Sequence, residues 1–199
     1  HNNRNENVIE GGQMMVTDGG AETTMHDASG ITRTVPVGGK FNERQKGIYQ
    51  AVLDANVKAI DAIKPGVEYR EIHFLACKVL VEGLIKVGIM KGDAQAAVDA
   101  EAHTLFMPHG LGHQMGLDVH DTAPYKYENG DEIKLQSGMV LTIEPAIYID
   151  KGDKDVPKKY RGIGIRIEDD ILVTKDGYKN LSKDIVKSVK EIEKLSSIS

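Results

Sequence analysis

The chain has 199 residues, 40% of them hydrophobic and 28% charged, with a formal net charge of −5. That suits a globular domain with one sizeable core. Acidic and basic residues are interleaved, so there is no basic stripe to bind a nucleic-acid backbone, and no apolar run approaches the roughly 20 residues that span a bilayer.

In chain order, residues 8–18 run from a turn at Gly11-Gly12 into Met14-Met15-Val16-Thr17-Asp18, which predicts a short buried strand ending on an acid. Ile31–Val35 supplies a partner strand. Over residues 42–63, Ile48, Val52, Ala55, Ala59 and Ile63 recur with helical spacing, Asn42 can cap the start, and Lys64-Pro65-Gly66 stops the helix. Further helices are expected over 69–87 and 93–104. Pro108, Gly110, Gly112 and Gly116 forbid a regular helix over 105–124. Residues 138–149 and 162–174 read as two β-branched strands around a lysine-rich loop, 151–159, and 182–196 as a closing amphipathic helix through Ile185, Val189, Ile192 and Leu195. No repeat or interdomain linker is evident, so one α+β domain is expected.

Cys77 is the only cysteine. No intrachain disulfide is possible, and a lone thiol on an apolar helical stretch reads as core filling. A reducing, cytoplasmic setting fits. The chain opens His1-Asn2-Asn3 without an initiator methionine, as a fragment or a processed form would.

Chemistry concentrates in a few places. Three of the seven histidines, His109, His113 and His120, fall within twelve residues in PHGLGHQMGLDVHD. Glycines flank the first two, which lets backbone approach closely and leaves imidazoles accessible. The Gly-Leu-Gly between them rules out the helical His-Glu-x-x-His zinc motif. Glu144 and Glu168 each sit in an apolar strand, and Asp18 ends a third. A carboxylate on a buried strand is costly unless paired, protonated or bound to a cation. For a single acid a salt bridge, such as Glu168 with Arg166, would suffice. Three such acids beside a histidine cluster favour a shared cation. Mostly carboxylate oxygen with one imidazole suits Mn²⁺, or Co²⁺ or Zn²⁺, and the missing thiolates argue against a structural zinc site. Such a site polarises a carbonyl and activates water, which is hydrolysis.

The segments FMPHGLGHQMGLDVHD, MVLTIEPAIYI and GIGIRIEDDILVT, with VTDGGAE followed by ITRT, resemble the signature words of Xaa-Pro aminopeptidases and prolidases. They cover nearly the whole chain in order. Methionine aminopeptidase shares the fold, but His-Gly-Leu-Gly-His and Arg-Ile-Glu-Asp-Asp favour the proline-specific branch. The resemblance implies a pita-bread fold, with a curved antiparallel sheet flanked by helices, two divalent metal ions and a proline-containing peptide substrate. It also implies that residues 1–199 form a single catalytic domain without the family's first helices and N-terminal domain, and that a homodimer is a possible assembly.

Carried over by position, Asp18, His113, Glu144 and Glu168 are expected metal ligands. His109, His120, Glu144 and Arg166 are expected catalytic groups, and His1, His109, His120 and Arg166 line the substrate site. The chemistry implied is attack on the scissile carbonyl by a metal-bridging hydroxide, with Glu144 moving the proton. The chain departs from the family at Ser29-Gly30-Ile31-Thr32-Arg33-Thr34, where Gly30 replaces an aspartate that bridges both metals. Asp27 lies three residues upstream, but strand alternation directs it away from the face of Gly30. Ala146 replaces the glycine of Glu-Pro-Gly, and Asn3 stands where relatives often carry a histidine. Two further readings follow: a binding module that has lost catalysis, or metal-free hydrolysis by histidine as in the creatinase relatives.

Overall fold

The computed structural model describes residues 8–196 apart from 123 and 125. Two long helices form one layer: α1 (Glu43–Asp61) and α2 (Tyr69–Lys86). Asn42 caps α1 as expected, accepting from the Arg44 and Gln45 amides, while the Gln45 side chain returns to the Asn42 amide in a capping box. Ile48, Val52, Ala55 and Ala59 of α1 and Ile72, Ala76, Leu80 and Leu84 of α2 are buried on the facing stripes. The helices approach closely at Gly83, where an added Cβ would stand 2.3 Å from the Ala51 Cβ. Gly83→Ala is therefore expected to destabilise the chain by about 1–3 kcal/mol through overpacking, outweighing a helix-propensity gain of about 1 kcal/mol. A lowered midpoint in urea unfolding would register it.

The sheet layer comprises seven strands. β1 (Met14–Gly19) pairs antiparallel with β2 (Ile31–Pro36). β3 (Val140–Ile143), β6 (Asp169–Thr174) and β7 (Gly177–Asn180) form a sheet in the order β3-β6-β7, and β4 (Ala146–Tyr148) pairs with β5 (Gly164–Arg166). The chain also carries the short helix α3 (Ala94–Asp99) and the C-terminal α4 (Val189–Ser196). Among the described residues no helix is long and apolar enough to cross a membrane.

Four expectations need correction. The strand at 14–18 exists, but Met15 through Gly19 are exposed, because β1 borders an open cleft of ≈ 2060 Å³. The helix expected over 93–104 stops at Asp99. Glu101 turns left-handed (φ 57°), and a separate 3₁₀ turn, Ala102–Leu105, follows. The closing helix starts at Val189 rather than 182, since residues 182–188 are used in polar contacts with β6 and α1. Each long strand is cut in two, between Ile143 and Ala146 and between Arg166 and Asp169. Pro145 has no amide proton to continue the ladder, and the register Ile143↔Asp169 resumes only at Ala146↔Arg166.

The two interruptions face each other, and they contain Glu144 and Glu168. With their own ladder lapsed, both amides find other partners. The Glu144 amide donates to the Leu111 carbonyl at 2.7 Å and the Glu168 amide to the Thr32 carbonyl at 3.0 Å. Behind them the fully buried Asn56 of α1 donates to the carbonyls of Ile143 (3.0 Å) and Ile167 (3.4 Å), tying both breaks to one helix. The Lys187 ammonium fixes the amide's orientation by donating to Asn56 Oδ1 at 2.7 Å.

Candidate metal centre

The glycine-rich segment after Pro108 runs alongside β3. The Thr142 amide donates to the His113 carbonyl, and the Met115 amide to the Val140 carbonyl. Gly112 is indispensable to this approach, because a Cβ there would lie 2.1 Å from the Thr142 carbonyl oxygen. The close backbone contact expected of these glycines is thus realised at Gly112, and it aims the next residue, His113, at the broken strands.

His113, Glu144 and Glu168 each direct one ligand atom to a common point, the three atoms lying within 4.8 Å of one another. His113 Nε2 is 3.6 Å from Glu144 Oε1 and 4.0 Å from Glu168 Oε1. The other ring nitrogen, Nδ1, is 3.0 Å from the Gln114 carbonyl. A carbonyl only accepts, so Nδ1 carries the proton and the lone pair of Nε2 faces the carboxylates, as a metal-ligating histidine requires.

Each carboxylate has its own support. The Thr32 hydroxyl donates to Glu168 Oε2 at 2.7 Å, and the Thr142 hydroxyl to Glu144 Oε1 at 3.5 Å. Burial, with the neighbouring Glu168 charge, pushes the Glu144 carboxyl up to about 7. Burial likewise raises Glu168. Two acids driven toward the neutral form beside a lone-pair imidazole make a site short of positive charge. The donor set and the electrostatics both fit one divalent cation.

Arg166 lies beside this point but does not bridge to Glu168 in the simple pairing the sequence allowed. Its guanidinium reaches Asp18 Oδ2 at 2.6 Å and Tyr148 Oη at 2.9 Å, its Nε donates to Thr32 Oγ1 at 3.0 Å, and Glu144 Oε2 lies 3.7 Å away. Asp18 is thus held by Arg166 at the exposed end of β1 and stands outside the three-residue group. His109 sits further along the same wall. Its Nδ1 is 2.7 Å from the Gly110 carbonyl, which leaves Nε2 to accept from the Tyr148 hydroxyl at 3.3 Å. His120 is exposed and stacks edge-on against His113, with ring centroids 4.5 Å apart. His1 and Asn3 lie outside the described residues.

Gly30 is buried at the head of β2, directly beside Glu168. A Cβ there would sit 3.8 Å from Glu168 Oε1 and 3.3 Å from Val119 Cγ2. No oxygen ligand comes from this position. Asp27 is exposed, its backbone engaged with Thr23. Ala146 is fully buried and accommodated without disturbing the pairing with Arg166.

Sequence reasoning missed Thr32, Thr142, Tyr148 and Asn56. For Tyr148 a signal existed: it stands four residues after Glu144, and the two-residue period of a strand puts both on one face. The threonines and Asn56 carry no comparable mark.

A model of the family described as Metallopeptidase family M24 matches residues 1–175. The Xaa-Pro aminopeptidase of Escherichia coli (strain K12) is 43% identical over 195 residues, which is 98% of this chain and 43% of that protein. Xaa-Pro aminopeptidase 1 of Streptomyces coelicolor is 41% identical over 190 residues, 96% of this chain and 39% of that protein. Among solved structures, Pseudomonas aeruginosa aminopeptidase PepP superposes with a TM-score of 0.96 at 41% identity, over 100% of this chain and 44% of that one. The chain spans less than half the length of these curated relatives.

Proposed function

The chain belongs to metallopeptidase family M24, and from that premise we propose that it is a metal-dependent exopeptidase hydrolysing peptide bonds that involve proline. Its fold is the pita-bread arrangement expected from the sequence, shared with the aminopeptidases it superposes on. The observation that carries the proposal is the convergence of His113 Nε2 with one oxygen each of Glu144 and Glu168 at the facing strand breaks.

A divalent ion held by those three residues supplies Lewis-acid polarisation of a carbonyl and lowers the pKa of nearby water. Carboxylate-rich ligation with one imidazole suits manganese first, and cobalt or zinc after it. The surrounding residues divide the remaining work. Glu144, poised near neutrality in the ion-free chain, accepts a proton and returns it to the leaving amine. Arg166 presents fixed positive charge to a developing oxyanion. Tyr148 holds Arg166 and His109 in one hydrogen-bonded line, and His120 borders the point of attack beside His113. We assign the chain to a reducing, cytoplasmic setting, in keeping with its single cysteine.

The second metal position of the family is short of a ligand. Gly30 offers no side-chain oxygen, and Asp18 is engaged by Arg166. We therefore expect one tightly held Mn²⁺ per chain after reconstitution and removal of excess ion. In Gly30→Asp, whose Cβ would meet Val119 Cγ2 at 3.3 Å and stand 3.8 Å from Glu168 Oε1, we expect two, with faster cleavage of short Xaa-Pro peptides. Elemental analysis and a peptide-release assay read both. No bound ion in either form, with no cleavage under excess Mn²⁺, would overturn the hydrolase reading in favour of a peptide-binding module, the alternative that Gly30 itself suggests.

A further inference from the structure

A second set of metal-type ligands lies inside the helical layer, and the hydrolytic reading makes no use of it. His73 and Cys77 stand one turn apart on α2, and His103 belongs to the 3₁₀ turn Ala102–Leu105. The Cys77 sulfur and one ring nitrogen from each histidine lie within 4.8 Å of one another. Cys77 Sγ is 3.5 Å from His73 Nε2. Tetrahedral zinc, with bonds of about 2.3 Å to sulfur and 2.0–2.1 Å to nitrogen, would hold those two atoms about 3.6 Å apart.

Ordinary core packing accounts for part of this arrangement. A thiol donating weakly to His73 would explain that pair, but it leaves His103 unexplained. The residue is 5% exposed, and its Nδ1 is buried without a hydrogen-bond partner among the described residues. Buried polar atoms are rarely left so, and an absent ion is one standard reason. The protonation states suit ligation. Burial pushes His73 down to about 4 and lowers His103, so both rings are neutral with a lone pair available at physiological pH. Burial also pushes the Cys77 thiol up to about 12, so only a strong competitor such as a metal would displace its proton.

We propose that His73, Cys77 and His103 form a further metal site, separate from the His113 cluster and selective for a zinc-class ion. A thiolate with two imidazoles favours such ions, whereas the carboxylate cluster favours manganese, so the two sites sort different metals. His73 also lines a cavity of ≈ 410 Å³ whose wall includes Gly110 to Gln114. Through His73 that cavity is the approach to the site from solvent. Binding replaces the S–H bond with a sulfur–metal bond. The histidines bring no protons, so a single proton passes to solvent for each ion bound.

The test uses cobalt on the metal-free full chain. A thiolate-to-cobalt charge-transfer band in the near ultraviolet can arise only from Cys77, the sole cysteine. The expected band saturates at one cobalt per chain and disappears when an equivalent of zinc is added. It is absent in Cys77→Ser and lost or strongly weakened in His73→Ala, but it persists in Glu168→Gln. Wild-type protein that binds cobalt without this band overturns the proposal whatever the variants do. A band that survives both His73→Ala and His103→Ala also overturns it, since the thiol would then be binding cobalt adventitiously.

Discussion

Glu168→Gln is expected to lower the affinity of the His113 cluster for Mn²⁺ on the order of 10²-fold or more while raising the thermal stability of the ion-free chain. The first effect follows from ligand number. Among the described residues three donors converge at this cluster, His113, Glu144 and Glu168, so the exchange removes one of them, and even a residue that merely orients a ligand costs about 10–100-fold when lost. The second follows from burial. Glu168 is 3% exposed and its carboxyl is raised, so at neutral pH its charge opposes folding. An amide of the same shape removes that charge and still accepts from the Thr32 hydroxyl. The hydrolysis proposed above should fall with the metal. Isothermal titration with Mn²⁺ and a melting curve in chelator check the pair. A variant that binds Mn²⁺ as tightly as wild type would remove Glu168 from the ligand set.

The largest loss of stability is expected from Asp169→Asn, at about 3–5 kcal/mol, or roughly 6–20 °C in melting temperature for a chain of this size. Asp169 is fully buried and next to Glu168, but its environment is the opposite. Arg33 donates to it at 2.8 Å, Lys187 at 2.5 Å and the Ser182 hydroxyl at 2.9 Å. Burial alone would push its carboxyl up, yet the Lys187 and Arg33 charges outweigh it and hold the group below the usual carboxylate range. A depressed carboxyl stabilises the fold above its ordinary pKa, and that contribution is lost as pH falls through the folded value. Wild type should therefore lose this increment only in strong acid, whereas Asp169→Asn lacks it at every pH. The difference between the two unfolding curves should shrink below the ordinary carboxylate range. A gap constant down to strong acid would mean that the charge is not what Asp169 contributes.

Much of the fold could be read from the residues. α1 and α2 follow from uninterrupted helical periodicity and clear stop signals. The breaks in the long strands are less visible, because apolar residues continue on both sides of Pro145 and only its missing hydrogen-bond donor marks the place. Two other boundaries carry local signals. Lys175-Asp176 is the two-residue loop of the β6–β7 hairpin, and Gly177 already pairs with Thr174 across it. Ser188 accepts from the Glu191 amide and marks where α4 begins. Nothing local marks the break at Glu101, which carries a left-handed backbone without being glycine or asparagine. There the tertiary arrangement decides, and it places His103 against α2. That Glu144 and Glu168 need a partner is legible, because a charged group on an apolar strand is costly alone, and the structure brings both beside His113. Thr32, Thr142 and Asn56 are not legible, because each acts through hydrogen bonds from chain segments far away in sequence.

The position of Asn56 bears on how such a chain could drift. One buried amide, set on a helix behind the carboxylates, holds both strand breaks. A descendant could keep every liganding side chain and still lose competence through an exchange at this remote position. Inventories of catalytic residues would pass that descendant as active, and only attention to what holds the scaffold would expose the silent decay.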